Sequence, residues 1–320
     1  MKAIRVEEFG EPDVMQFVEQ PDPKVSGREI LVRIHAVGVN PVDTYIRAGT
    51  YARKPQLPYT PGSDGAGLVA AVGRDAEGIK PGERVFLSGS ISGTYAELAL
   101  CAPEQVHALP DNITFAQGAA LGIAHATAYR ALFHRGQVRA GETVLVHGAS
   151  GGVGTAAVQL ALASEIRVIG TAGSPEGRDL VRDLGADQVF DHKVVGYQDA
   201  ILDATSRRGV DCILEMLANV NLGDDLRLLA PCGRVVVIGS RGRVEIDARD
   251  AMMRDADIRG MILGNASPSD LAAIYKSLAE LLAAGQIRPV VGLDFALAAA
   301  ADAHRAVMAA GARGKIVLIP

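Results

Sequence analysis

A doubly wound parallel α/β sheet joined to a mostly β module is the fold class the sequence predicts. Three observations predict it. An apolar strand runs straight into a glycine cluster in Val144 to Gly154 (VLVHGASGGVG), and six short apolar segments alternate with helical stretches between residues 143 and 262. The first 120 residues instead carry strand-like runs separated by Gly and Pro turns.

In the glycine cluster, Gly148, Gly151 and Gly154 are spaced three apart, and Thr155 to Ala163 (TAAVQLALA) continues at helical periodicity. Absent Cβ atoms allow a tight strand exit, close backbone approach to a pyrophosphate and packing of the helix on the strand. The helix start offers free N–H groups and the positive end of its dipole to phosphates. A strand on one side and a helix on the other give the turn the setting a nucleotide site requires.

The six strands are expected at 143–147, 167–171, 187–190, 211–215, 234–238 and 258–262, with helices at roughly 153–163, 176–184 and 197–205. Each strand is short and rich in Val, Ile or Leu, as befits a sheet covered on both faces. In the first module the expected strands are Ile30 to Val39, Leu68 to Val72, Arg84 to Leu87 and Tyr95 to Leu100, between turns such as PGSDGAG and KPGERV. Near the end, Ser267-Pro268-Ser269-Asp270 gives an N-cap, a first-turn proline and an acid, so a helix starts there and ends near Gly285. A last helix up to Gly311 precedes the strand KIVLI. Sixty residues are too few for a third core, so this tail is expected to return to the first module. The expected division is 1–120 with 263–320, and 121–262.

A chain of 320 residues with 48% hydrophobic and 22% charged residues can bury a substantial core. No apolar run approaches the roughly 18 residues of a membrane span. Met1 leads directly into KAIRVEEF with no export signal, so a cytoplasmic protein with no membrane partner is expected. Cys101, Cys212 and Cys232 are too scattered for a disulfide frame or a zinc lobe. The net charge of −5 argues against nucleic acid as a main partner.

GVNPVDTYIRAGTY (38–51), LPYTPGSDGAG (57–67), VLVHGASGGVG (144–154), EMLANVN (215–221) and VVVIGSRG (235–242) carry a family resemblance across both modules. The whole chain resembles the medium-chain dehydrogenase/reductase superfamily and, within it, the zeta-crystallin type of NADPH:quinone oxidoreductase. The resemblance implies a GroES-like β domain (1–120 and 263–320) and a Rossmann domain (121–262) with the active site in the cleft between them. It also implies a homodimer or homotetramer.

NAD-preferring Rossmann domains usually place an acid about 20 residues beyond the glycine turn to bind both ribose hydroxyls. Here the segment is Gly170-Thr171-Ala172-Gly173-Ser174. Without that carboxylate a 2′-phosphate is not repelled, and Ser174, Arg178 and His192 could supply donors or charge to it, so NADPH is favoured over NADH. The nearby Glu176 reads as a solvated partner of a helix dipole. By resemblance, Ser150, Gly151, Gly152 and Val153 line the pyrophosphate, and Gly173 and His192 lie along the adenosine end. Asn221, then Ile238, Gly239, Ser240 and Arg241, then Met261, Ile262 and Leu263 match positions around the phosphates and nicotinamide. Ile238 and the trio at 261–263 read as buried strand residues that would act through their backbone.

The zinc enzymes of the superfamily need a thiolate, an imidazole and a third ligand. The matching positions here carry Asn40 and Ser63-Asp64, and one histidine, His125 near the third ligand's segment, does not make a zinc set, so no metal site is expected. Without a Lewis acid the acceptor must already be electrophilic, which quinones and activated enones are. Such an enzyme mainly holds the two reactants in contact and excludes other chemistry. Polar residues expected at the nicotinamide end are Asn40, Asp43, Tyr45, Tyr51 and Thr127. Tyr45 matches a cofactor contact and the Asn40 amide is a candidate to orient the acceptor's carbonyl; none is assigned as proton donor.

Reduction of quinones, ortho-quinones in particular, is thus the first reading. The family is associated with one-electron output to semiquinones, which residue spacing does not separate from two-electron reduction. The segment Gly122 to Ala126 carries smaller and more polar residues than animal members do, so the preferred quinone is left open. The alternatives are a zinc-free alkenal or enoyl reductase and, from a different class, an NADPH-responsive RNA-binding or structural crystallin-like protein.

Overall fold

The computed structural model describes residues 1–320. The chain forms two compact units, Met1–Ala124 with Tyr275–Ala309 and Gly314–Pro320, and His125–Ile274 with Ala310–Arg313. The first bound lies four residues beyond 120 and the second twelve beyond 262, because these two changes of unit occur inside helices, where no Gly or Pro marks the sequence; the return of 310–313 to the second unit was not expected.

The first unit opens with β1 (Lys2–Val6) antiparallel to β2 (Met15–Glu19). Then come β3 (Ile30–Val39), α1 (Pro41–Arg47), β4 (Asp64–Val72), β5 (Arg84–Ser88), β6 (Leu98–Cys101), β7 (Val106–Ala108), α2 (Phe115–Ala119) and α3 (Gly122–Tyr129). The fourth strand starts at Asp64, earlier than its expected start at Leu68. The glycines of GSDGAG look like turn residues, but a Cβ at Gly67 would overlap the Arg33 carbonyl, so that glycine serves close strand approach. β3 and β4 pair antiparallel with irregularities at Leu31/Val32 and Ile34/Ala36, consistent with this crowding.

The second unit contains β8 (Thr143–Val146), α4 (Gly152–Leu162), β9 (Arg167–Thr171), α5 (Pro175–Asp183), β10 (Gln188–Phe190), α6 (Tyr197–Ala204), β11 (Val210–Glu215), α7 (Ala218–Leu228), β12 (Leu229–Val237), α8 (Ala248–Met252) and β13 (Asp257–Gly260). Its strands lie in the order β10-β9-β8-β11-β12-β13, and every neighbouring pair is parallel. This is the 3-2-1-4-5-6 order of a doubly wound sheet, with the chain reversing direction across the sheet between β8 and β11. Leu145, Ile169, Ile213 and Val235 from adjacent strands meet Ile201 and Leu226 of the helices in its core. Ligands of such sheets bind outside the carboxyl ends of the strands at that switch point, where Gly148 and Glu215 lie.

The sixth strand ends at Gly260, which corrects the expectation for 261–263. These residues lie past the sheet, with Met261 buried, Leu263 half-buried and Ile262 exposed. α9 (Pro268–Ala283) then leads to β14 (Val291–Ala296), α10 (Ala300–Met308) and β15 (Lys315–Ile319). The last strand pairs parallel with β14 and antiparallel with β3, so a seven-stranded sheet runs β14-β15-β3-β4-β5-β7, with β6 also on β3. Ala300 and Ala303 of α10 pack onto its core with Val32, Val37 and Leu318. No helix is long and apolar enough to cross a membrane.

Candidate functional site

Each glycine of the nucleotide turn has its own physical reason. Gly148 leaves β8 at φ +59, a left-handed conformation that favours glycine. A Cβ at Gly154 would overlap Gly148 O, so the helix can pack on the strand only with hydrogen there. Gly151 differs: its backbone is extended at φ −79 and ψ 177, and a Cβ would meet nothing closer than Gly148 O at 3.5 Å. The protein's own packing does not demand a glycine at 151. Gly151 stands at the uncapped start of α4, where Gly152 and Val153 form the first turn and free N–H groups suit a ligand's pyrophosphate. Ser150 lines the turn but donates its hydroxyl to Ala312 O at 2.7 Å.

At the end of β9, Ser174 caps α5 by accepting from Gly177 N at 3.1 Å. Arg178 reaches Asp191 Oδ2 at 2.6 Å, so it is not the unpaired cation expected for a 2′-phosphate. His192 is held below the ordinary histidine range, chiefly by burial, and so offers a neutral ring. It does stand beside Gly173, where a Cβ would come within 2.7 Å of its Nε2 and 2.9 Å of Lys193 Cε. Lys193 is exposed, adjoins Gly173 and is a cation that the sequence reading missed. Glu176 is exposed, as expected.

Beneath the turn lies a buried polar cluster. His147 Nε2 is 2.8 Å from Asp225 Oδ1 and 3.7 Å from Glu215 Oε2, and its Nδ1 is 3.2 Å from Thr171 Oγ1. Thr171 in turn accepts from Gly148 N at 3.3 Å. Burial lowers the His147 pKa, but Asp225 and Glu215 outweigh it and hold the imidazole above its ordinary range. Burial pushes the Glu215 carboxyl up. Glu215 accepts from Leu217 N, and Asn221 Nδ2 donates to both of its oxygens at 3.2 Å. Ile238 N and Gly239 N close the same corner on the Glu215 carbonyl. Gly239 itself is fixed by crowding against Met216 O. The Arg241 backbone binds Asn219 Oδ1 while its side chain is exposed, and the Ser240 hydroxyl turns back to Gly242 O.

In the first unit, Asn40 precedes α1 and is buried. Its Nδ2 donates to Asp64 Oδ2 at 2.9 Å, and its Oδ1 accepts from Lys315 Nζ. Lys315 also pairs with Asp64 Oδ2 at 2.9 Å, and Asp64 Oδ1 accepts from Ile123 N at 2.8 Å. Both ends of the Asn40 amide are thus engaged inside the protein, and the acceptor-orienting role expected of it would fall to the second Nδ2–H. Asp43 accepts from Asn40 N at 2.8 Å, and burial raises its pKa to about 7. Asp43 also lines a cavity of about 580 Å³ with Ile46, Tyr59, Ser63 and Ser90. Tyr45 and Tyr51 are half-buried and absent from that lining. Thr127 is buried on α3, in the second unit.

Two family profiles match the chain, "Alcohol dehydrogenase GroES-like domain" over residues 26–111 and "Zinc-binding dehydrogenase" over 152–282. A human quinone oxidoreductase is 49% identical over all of this chain and 98% of its own length. The chain belongs to the quinone oxidoreductase family of medium-chain dehydrogenases/reductases. Among solved structures, Escherichia coli quinone oxidoreductase complexed with NADPH matches with a TM-score of 0.90 at 28% identity, both chains covered in full. An NAD-dependent alcohol dehydrogenase matches equally well, at 0.91 and 29% identity over the same full coverage. Neighbours with such different chemistry share the fold, so the function of this family member has to be argued from its site.

Zinc does not fit the positions expected to replace its ligands. Asn40 and Asp64 already surround the Lys315 ammonium, and a metal cation there would face a fixed positive charge in a buried place. His147, Glu215, Asp225, Lys315 and Lys193 are the polar residues that sequence reasoning passed over, and Asp64 was weighed only as a replaced metal ligand. One signal was available: Glu215 follows the apolar run Cys212–Leu214, and a charge at the carboxyl end of a buried strand stands where ligands bind.

Proposed function

We propose that this protein is an NADPH-dependent, metal-independent reductase of quinones. The observation that carries the proposal is Gly151, whose backbone is unstrained and where a Cβ would make only ordinary contacts, to Gly148 O at 3.5 Å and Ala312 Cβ at 3.8 Å, at a helix start. A pyrophosphate explains that glycine, and the protein's interior does not. Family membership supports the substrate class, since the human and Escherichia coli relatives are named quinone oxidoreductases and the latter is complexed with NADPH.

When bound, NADPH supplies a hydride to the acceptor. Gly152 and Val153 offer backbone N–H groups to the pyrophosphate, and Gly173 with Lys193 receives the 2′-phosphate end, where no carboxylate occupies the end of β9. The cavity beside Asp43, Tyr59, Ser63 and Ser90 holds the acceptor and limits its contact with water. A quinone spreads the incoming negative charge over its ring and draws its proton from solvent, so no residue is required as a dedicated acid. The test is loss of NADPH absorbance with phenanthrenequinone, run beside NADH and beside an α,β-unsaturated ketone. Turnover of the quinone with NADPH is expected, and its absence would remove the proposal.

One observation favours a second reading, reduction of enones. Asp43 lines the cavity with its pKa raised by burial to about 7, so it can hold a proton for a carbanion-like carbon. Turnover of the ketone in the same assay, lost in Asp43→Asn, would select this reading.

We also infer a homo-oligomer and a cytoplasmic setting. β13 is the edge strand of its sheet with Ile258 exposed on it, and Met252 and Met253 at the end of the preceding α8 are exposed too, apolar side chains that a second copy would cover. The three cysteines are free, as in reducing compartments. Ile258→Lys is expected to lower the mass measured by light scattering, and an unchanged mass would exclude this edge.

A further inference from the structure

His147 follows β8 directly, between Thr171 at the end of β9 and Glu215 at the end of β11. Ligands approach this edge of the sheet, yet the imidazole is buried, so it acts through its neighbours. The ring has a partner on each side. Its Nε2 lies 2.8 Å from Asp225 Oδ1, and a carboxylate only accepts, so that nitrogen carries a hydrogen. Asp225 and, at 3.7 Å, Glu215 favour the protonated ring over the neutral one. In that form Nδ1 also carries a hydrogen and donates to Thr171 Oγ1 at 3.2 Å, while Gly148 N donates to the same oxygen at 3.3 Å. A hydroxyl oxygen has two lone pairs, and both are filled. Thr171 thereby ties a held ring to the first glycine of the turn.

The tie matters because glycine is free to turn either way. Gly148 leaves β8 at φ +59, and a Cβ there would meet only Met216 Cγ at 3.9 Å, so crowding does not fix this residue. Its carbonyl accepts from Gly151 N at 3.0 Å, which passes its orientation on to the start of α4. Resting on the NADPH reading above, we propose that His147 is a positioning residue for the cofactor's pyrophosphate, holding Gly148 through Thr171 so that the turn is ordered before the ligand arrives. The cost of ordering the glycines then falls on folding rather than on binding. A ligand without a pyrophosphate gains nothing from this chain of bonds.

The experiment is calorimetric titration of wild type, Thr171→Val, Thr171→Ser and His147→Gln with NADPH and with adenosine 2′-monophosphate, which lacks the pyrophosphate. Thr171→Val keeps the shape of the side chain and removes its oxygen. It is expected to bind NADPH roughly three- to tenfold more weakly, the worth of one hydrogen bond. His147→Gln retains a donor toward Asp225 but none toward Thr171, and should lose a similar factor; should Thr171→Val not fold, this variant carries the same expectation. Thr171→Ser restores the hydroxyl and should bind NADPH within about twofold of wild type. All three variants should bind the monophosphate within about twofold of wild type. Equal losses for the two ligands would mean that the whole unit was disturbed, overturning the positioning role. Undiminished NADPH affinity in Thr171→Val or His147→Gln would overturn it too, as would a Thr171→Ser that does not recover. Wild type that binds neither ligand would remove the cofactor reading, and this proposal with it.

Discussion

Arg178 Nη1 lies 2.6 Å from Asp191 Oδ2, so the arginine nearest the end of β9 is already neutralised by an acid on the neighbouring strand's exit. Lys193, two residues further on and beside Gly173, is left as the cation available to a 2′-phosphate. Lys193→Ala is expected to weaken NADPH roughly tenfold while leaving NADH unchanged. Asp191→Asn, by releasing Arg178, should shift the ratio the other way. Fluorescence titration with both cofactors checks both outcomes.

The glycine turn should separate binding from folding. Gly151→Val is expected to abolish NADPH binding at little cost in stability, since its extended backbone suits a β-branched residue and its Cβ makes only ordinary contacts. Gly154→Ala should instead destabilise the unit by about 1–3 kcal/mol, because its Cβ overlaps Gly148 O. Thermal denaturation and NADPH titration on both variants test the contrast.

Asp43 makes stability depend on pH in a stated direction. Burial raises its pKa from 3.8 to about 7, so between those values the folded protein holds a proton that the unfolded chain has released. The associated stability is complete below the unfolded value and is lost as pH rises through the folded one. His107 and His304, lowered by burial to about 4 and about 3, work in the opposite sense below the ordinary histidine range. Comparison with Asp43→Asn isolates the carboxyl. The urea midpoint of wild type, relative to the variant, should fall between about pH 4 and about pH 7 and level off above that.

The buried Lys315–Asp64 pair is expected to respond asymmetrically to mutation. Lys315→Met leaves the Asp64 charge uncompensated and should cost about 3–5 kcal/mol. Adding Asp64→Asn should recover much of that loss, because the isolated charge is gone. Equal urea stability of the single and double variants would show that charge is not what holds this site.

What could be read from the sequence follows from which interactions are local. The alternation of apolar strands and helices dictates a parallel sheet, and the glycine spacing dictates the turn at 148–154, since both depend on residues close together in the chain. Gly67 misled because crowding by the Arg33 carbonyl, unlike a turn, leaves no trace among its neighbours. The 261–263 segment misled because Val and Ile content does not say where pairing stops. The charged clusters were beyond reach for a different reason. His147, Glu215 and Asp225 meet only after strands and helices have packed, and Lys193 is placed by the turn that follows β10.

β15 has a consequence for how the molecule is made. Its antiparallel partner β3 is synthesised early, yet the lysine that neutralises Asp64 follows that acid by 251 residues. Until it emerges, β3 has β4 and β6 beside it but one flank of the strand and a buried carboxylate lack their partners, while the six strands of the doubly wound sheet are complete by Gly260. Every strand of the second unit is thus in hand before the sheet of the first can be closed with its counter-charge in place.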